Sequence, residues 1–342
     1  MNGERSPQLD GLRALAVTFV MAFHFAPGVD RYAPLGSIGV RLFFVLSGFL
    51  ITRILLESRS WPTAHALTVF YARRALRIFP LFYLVLALAA VINIGPVRQT
   101  IGWHLTYLTN VYLFDRGSWH GSISHLWSLA VEEQFYLVWP IVVLAAPQRR
   151  LPAIIAATIV AAPITRLLIG GPMNSVLPTS CLDSLGAGAL LALPAMRIPM
   201  MRVGFAAGLP VLAVSLALRY AGFTGVPFEV ALDLGVSLSA AWMVGSAAQG
   251  LGGLAGLVLS ARPVVDLGTI SYGVYLFHGF MPYVLGRYVT GFIDMPWPLR
   301  ALLLTTATIA IASVSWQVFE KPLLALKPSL QKPVHHVRVD VA

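Results

Sequence analysis

Charge is what this sequence has least of. Asp, Glu, Lys and Arg together make up 11% of its 342 residues, against about 25% in a typical soluble domain. A soluble chain of this length needs a polar surface, and there is too little polar material here to build one. Cysteine is almost absent as well. Cys181 stands alone, which excludes an internal disulfide and a cysteine metal cluster. The sequence also lacks an internal repeat, a low-complexity tract and a linker to a second domain. The first apolar run follows Asp10 and Arg13 and ends at Pro27 without a small-residue cleavage site, so no cleavable leader is expected.

What is present is apolar. Hydrophobic residues account for 57% of the chain, and mean hydropathy is +0.77. Runs of about 20 apolar residues, the length that crosses the hydrocarbon core, recur along the sequence. They are continuous and rich in Ala and Leu, which predicts helices rather than a barrel. The expected fold is an all-α integral membrane protein with about ten spans, near 9–26, 37–56, 79–94, 125–146, 151–169, 178–195, 203–221, 228–249, 263–286 and 299–319. Segment 63–78 is expected to be an interfacial helix, and 103–114 an outer-face or re-entrant piece. One transmembrane domain, 1–327, is expected to be followed by a short tail, 328–342.

The net charge of +10 sits in short loops and reads as a topology signal rather than a nucleic-acid footprint. With the N-terminus in the cytoplasm, fifteen basic residues fall on the cytoplasmic side and seven, Arg166 among them, on the other. Both termini are therefore expected in the cytoplasm.

Ionisable groups inside the spans cost at least ~2.5–3.5 kcal/mol each on insertion scales. They are Arg13, His24, Arg41, Glu132, Glu133, Asp183, Asp233 and His278. Such groups either pair to orient helices or mark a functional route, and the whole set suits an enzyme or transporter better than a passive anchor. Arg13 and His24 lie eleven residues apart, which puts them on one helical stripe about 16 Å apart along the axis. A stripe touching both ends of the membrane suits a path across it; the alternative is a structural histidine and a snorkelling arginine. His24 is a suitable proton acceptor near neutral pH, with Glu132 or Glu133 to orient it and Arg41 to stabilise negative charge. Arg73, Arg74 and Arg77 form a basic cluster suited to phosphate, or serve as ordinary positive-inside residues; Arg73 and Arg77, four apart, are expected to share a face.

Other residues have two readings each. Ser47 reads as a nucleophile or, with Gly48, as a small-residue site suited to close helix packing; the pair also suits the donor, with the glycine a place for its slender arm to pass. Tyr275 and His278 share a face of the ninth span and suit the acceptor side. Asp183 and Asp233 suit sugar hydroxyls or helix pairing equally. His104, His120 and His125 with Asp115 match no recognised metal spacing, so no metal is expected. Cys181 reads as a packing residue.

Taken in order, LDGLRALAV with Arg13 and His24, GVRLFFVLSGFLIT at 39–52, YARRALRIFP at 71–80, LWSLAVEEQFYLVWP at 126–140, ISYGVYLFH at 270–278 and FEKP at 319–322 resemble the acyltransferase-3 family of integral membrane O-acyltransferases. The resemblance implies ten helices in the bacterial plasma membrane. It implies an acyl group, commonly acetyl, taken from cytoplasmic acyl-CoA and passed to a hydroxyl of a cell-surface glycan such as lipopolysaccharide O-antigen or exopolysaccharide. Other acceptors in the family are peptidoglycan and secondary metabolites such as macrolides. By the resemblance, Arg13 and His24 are the essential pair, Arg73, Arg74 and Arg77 serve the CoA donor, and Glu132 and Glu133 form the acidic motif. Many relatives carry a hydrolase-like domain after the membrane domain. None follows FEKP here, so transfer is expected to finish in the membrane domain or to pass to a partner in polysaccharide biosynthesis. The rival class is a transporter or acyl-group exporter, which inverted repeats or broken helix pairs would favour; the sequence shows neither.

Overall fold

The computed structural model describes residues 6–325, all in helices and short connections, with no strand among them. The order is α1 (Pro7–Phe25), α2 (Leu35–Glu57), α3 (Thr63–Val91), α4 (Val97–Leu105), α5 (Thr109–Arg116), α6 (Leu126–Ala145), α7 (Leu151–Ile169), α8 (Leu182–Ala192), α9 (Pro194–Val203), α10 (Leu209–Tyr220), α11 (Val226–Gln249), α12 (Gly253–Ser260), α13 (Arg262–Thr269), α14 (Ser271–His278), α15 (Met281–Tyr288), α16 (Trp297–Ser315) and α17 (Lys321–Ala325). Proline is spent mainly at helix starts. It stands in the first turn of α1, α7, α9, α11, α13, α15 and α16, where its missing N–H has no partner to lose. The expected tail and the basic residues Arg5, Lys327, Lys332 and Arg338 lie outside the described residues.

Among the described residues seven stretches are long and apolar enough to cross a membrane: Leu35–Ser60, Thr63–Val91, Gly121–Ala145, Leu151–Ile169, Pro194–Tyr220, Val226–Gln249 and Trp297–Ala325. Three of the ten expected spans are not among them. The first is α1, which carries Asp10 and Arg13. The sixth shrinks to the eleven residues of α8, and the ninth breaks into α13, α14 and α15. The reason is what surrounds them. Every residue of α14 except Tyr272 is buried, and so is nearly all of α8. Helices wrapped in protein can be short and polar because neighbours, not lipid, meet their backbone and charges. The expected interfacial helix at 63–78 does not exist as a separate element. It is the first half of the 29-residue α3, which continues through Pro80. Segment 103–114 forms parts of the short α4 and α5.

Glycine sets the closest approach in the bundle. A Cβ on Gly48 of α2 would lie 1.9 Å from the Leu185 carbonyl oxygen of α8, and one on Gly188 of α8 would lie 2.0 Å from the Val45 carbonyl oxygen of α2. Each helix thus rests its glycine on the other's backbone, the small-residue packing that membrane helices use. Gly48 therefore faces α8; it offers no channel for a substrate arm.

Beside this contact lies a buried polar network. Arg41 Nη1 of α2 donates to Asp183 of α8 at 3.1 Å, and its Nη2 donates to Asp233 of α11. Arg166 Nη2 of α7 donates to the other Asp183 oxygen at 2.7 Å, and its Nη1 to the Ser180 carbonyl. Ser184 and Ser237 bond each other at 2.7 Å, and Ser37 donates to Asp233 at 3.0 Å. Arg166, counted with the outer-side charges although it falls within the 151–169 span, is 1% exposed. Counting it as a topology charge missed the fourth charge of this set.

Two outcomes test this packing. Gly188→Ala should lower the melting temperature of the detergent-solubilised protein, through an overpacking cost of about 1–3 kcal/mol, whereas Gly102→Ala, which meets open space, should leave it unchanged. Asp183→Ala strands the buried Arg166 guanidinium and leaves Arg41 with Asp233 alone, and a loss of roughly 3–5 kcal/mol should appear as aggregation or a collapsed melting transition in fluorescence-detected size exclusion.

Candidate active site

Two chambers lie toward opposite ends of α1. The first, about 100 Å³, is lined by Arg13, Ser47, Arg74, Arg77, Glu132, Glu133, Tyr136, Tyr272 and Tyr275, with apolar residues of α2 between them. Its polar groups are tightly arranged. Ser47 Oγ donates to Glu132 Oε1 at 2.5 Å, and Tyr136 OH donates to Ser47 Oγ at 3.0 Å. The Arg74 guanidinium stands over the Tyr136 ring, 5.4 Å from its centre, a favourable place for a partly desolvated cation. Arg13 Nη1 donates to Asp10 Oδ1 at 2.7 Å. Three guanidinium groups thus face two glutamates in a space that admits a few small groups but not a nucleotide.

The second chamber, about 640 Å³, is lined by His24, Asp30, Arg41, Trp119, His125, Trp127, Arg219, Glu229, Asp233 and Tyr275, among others. His24 Nδ1 lies 2.9 Å from the Val20 carbonyl. A carbonyl only accepts, so Nδ1 carries the proton and Nε2 keeps its lone pair, the tautomer a general base needs. The His278 ring sits 4.8 Å from His24 and 4.9 Å from His125, centre to centre. His278 Nδ1 donates to the Tyr275 carbonyl at 2.5 Å, and His125 Nε2 donates to the Leu276 carbonyl at 3.1 Å. Three imidazoles therefore converge, with α14 holding two of them in place through its backbone. The close approach of α14 and His125 needs Gly279, whose Cβ would fall 2.1 Å from His125 Nδ1.

Val40, Phe44 and Tyr275 line both chambers. They form the wall between them. Tyr275 OH donates to the His125 carbonyl at 3.0 Å and is bonded to Ser128, so the wall is anchored on its polar side.

This geometry changes several sequence expectations. Arg13 and His24 do share the α1 stripe, but they open onto different chambers rather than one continuous route. Neither Glu132 nor Glu133 orients His24: Glu132 holds Ser47 in the arginine chamber, and the ring beside His24 is His278. Arg74 and Arg77, three apart, share that chamber; Arg73 is exposed outside it. Arg41 lines the histidine chamber, yet its guanidinium is taken by Asp183 and Asp233, so its expected part in stabilising an oxyanion has no free donor set behind it. Asp183 lines neither chamber. His278 is fully buried behind His24 rather than exposed to an acceptor. The three loop histidines diverge. His104 is clasped between Thr100 and Thr109 at 2.8 Å each, and burial lowers its pKa to about 4. His120 meets Tyr112 at 2.7 Å. Among the described residues no group of three His, Cys, Asp or Glu is placed to hold a metal ion.

Sequence reasoning missed Tyr136, Ser128, Arg219, Glu229 and the two tryptophans. The first two lie one helical turn from Glu132, at i+4 and i−4, and that spacing was the available signal. Trp127 lies beside Ser128 on α6, while Trp119, Arg219 and Glu229 come from a loop and distant helices that only the fold brings together.

A family model for an acyltransferase domain matches residues 6–317. The chain is 30% identical to peptidoglycan O-acetyltransferase OatA of Listeria monocytogenes, over 93% of this chain and 55% of that protein. It is also 30% identical to the putative peptidoglycan O-acetyltransferase YrhL of Bacillus subtilis, over 93% of this chain and 54% of the relative. A putative O-acetyltransferase of Staphylococcus aureus is 35% identical over 40% of this chain and 24% of its own length. The chain spans about half the length of the first two relatives. No solved structure gives a significant match. With nearly the whole described bundle inside the matched region, this chain belongs to the acyltransferase-3 family.

Proposed function

We propose that the protein is a plasma-membrane O-acetyltransferase that moves an acetyl group from cytoplasmic acyl-CoA to a hydroxyl of a cell-envelope glycan. The observation that carries this reading is the pair of chambers, one rich in arginine and one in histidine, built against a common wall of Val40, Phe44 and Tyr275. In this reading the arginine chamber faces the cytoplasm. Its small volume suits the thioester end of the donor, while Arg74 and Arg77 draw in the negative charge that follows. The acceptor hydroxyl enters the histidine chamber, and His24 Nε2 accepts its proton as the oxygen attacks the thioester carbonyl. The carbon–sulfur bond breaks and the thiolate leaves toward the arginines. Phe44 must turn aside for the reacting atoms to meet, a gating step of the kind many enzymes use. One relative is named a peptidoglycan O-acetyltransferase and a second a putative one, so a cell-wall glycan is the first acceptor to test, ahead of lipopolysaccharide or exopolysaccharide.

The same two chambers also suit an exporter, and one assay separates the readings. Protein in lipid nanodiscs, given acetyl-labelled acetyl-CoA and peptidoglycan fragments, should release labelled ester. In sealed vesicles, label that crosses without ester formation would support export instead. His24→Ala should reduce ester formation at least about 100-fold in protein that elutes and melts like the parent; undiminished transfer would remove the base.

Donor binding divides the arginine cluster. Arg74→Ala and Arg77→Ala should each weaken acetyl-CoA affinity by roughly 10- to 100-fold, the loss of one charge-assisted contact, as read by equilibrium dialysis. Arg73→Ala should leave it within about twofold. Equal effects at all three positions would assign the cluster to topology.

A further inference from the structure

The two chambers differ in how their cations are employed. In the histidine chamber both lining guanidinium groups already hold carboxylates. Arg41 is bonded to Asp183 and Asp233. Arg219 Nη1 lies 3.3 Å from Glu229 Oε1, and its Nε donates to the Asp30 carbonyl at 3.1 Å. Three carboxylates, those of Asp30, Glu229 and Asp233, line the space against these two guanidiniums. The Asp30 carboxylate makes no ion pair among the described residues. An anionic ligand would therefore meet surplus negative charge and no open donor fork, and desolvating it there would go uncompensated.

The same space offers what an uncharged sugar needs. Trp119, 51% exposed, and half-buried Trp127 stand 6.4 Å apart, centre to centre, with their planes at 51°. Indole rings present a large rigid apolar face, and the C–H face of a pyranose is its complement. Carboxylates at the rim accept hydroxyl protons in strong charge-assisted bonds. A cavity of about 640 Å³ falls within the range of small-molecule sites, which combine aromatic walls with a few placed polar groups.

We infer that the histidine chamber is an acceptor site selective for uncharged pyranose units, with Trp119 and Trp127 as its stacking platform and Asp30 and Glu229 receiving sugar hydroxyls. This rests on the reading of the chamber as the acceptor side, and it adds the class of sugar accepted. Uronate-, sialate- or phosphate-bearing units are excluded because the cations that would recognise them are already engaged.

The experiment measures binding alone, without donor or turnover. The full chain in nanodiscs is titrated with cellobiose, with diacetylchitobiose, and with cellobiouronic acid, the charged counterpart of the first, using saturation-transfer NMR. The neutral disaccharides should bind at least about tenfold more tightly than the acid. Trp119→Ala should weaken the neutral sugars about tenfold, and Glu229→Gln, which releases Arg219, should raise affinity for the acid. Equal or tighter binding of the acid by the parent, no binding of either neutral sugar, or indifference to Trp119→Ala overturns the inference. Sugar binding without acetyl transfer would leave this inference standing and remove the donor reading. Acetyl transfer with preferred binding of the acid would do the reverse.

Discussion

Two arginines and two aspartates from four helices neutralise one another inside the bundle, and much of the architecture follows from that requirement. Arg41, Arg166, Asp183 and Asp233 tie α2, α7, α8 and α11 together. None of the four tolerates loss of its partners, because an isolated charge in so apolar a setting costs several kcal/mol. The network fixes where α8 lies, and α8 then fixes α2 through the reciprocal contacts of Gly48 and Gly188. Both chambers open off α2, so the positions of Ser47 on one side and Arg41 on the other are set by the same pairing.

A consequence is a division of labour among the arginines. Those of the network are paired with aspartates and structural, and Arg41 among them brings the histidine chamber no unpaired cation. Arg74 is held instead by an aromatic face, which orients it without neutralising it. A guanidinium stacked on tyrosine keeps its donors for a ligand; one clasped by two aspartates does not. The two neighbouring spaces therefore differ in the donors they leave open.

The helical membrane fold was legible in the sequence because long apolar runs report directly on the solvent they face. The α2, α3, α6, α7 and α11 runs all appear where hydropathy put them, to within their ends or, for α3, with a longer start. Where the reading failed, the helix faces protein. The α8 and α14 segments look like spans by composition but are short, because their neighbours supply what lipid cannot. The site divides in the same way. Arg13, His24, Glu132 and Tyr275 were visible as polar residues in apolar runs, and each lines a chamber. Their partners were not visible. The choice of Ser47 for Glu132, or His278 for His24, is made by tertiary contact between helices far apart in sequence. Arg166 was missed for a narrower reason: it lies near the end of its apolar run, where charge looks ordinary.

The wall of Val40, Phe44 and Tyr275 also has an electrical meaning. If the two chambers open to opposite faces of the bilayer, as the proposed transfer requires, the voltage falls mainly over these few side chains instead of the full core of about 30 Å. Any ion passing this point would work against nearly the whole potential, about 2.3 kcal/mol per 100 mV. In the proposed transfer the thiolate is left on one side of this wall and the proton on His24 on the other, so the electrical balance is restored only when that proton reaches the sulfur.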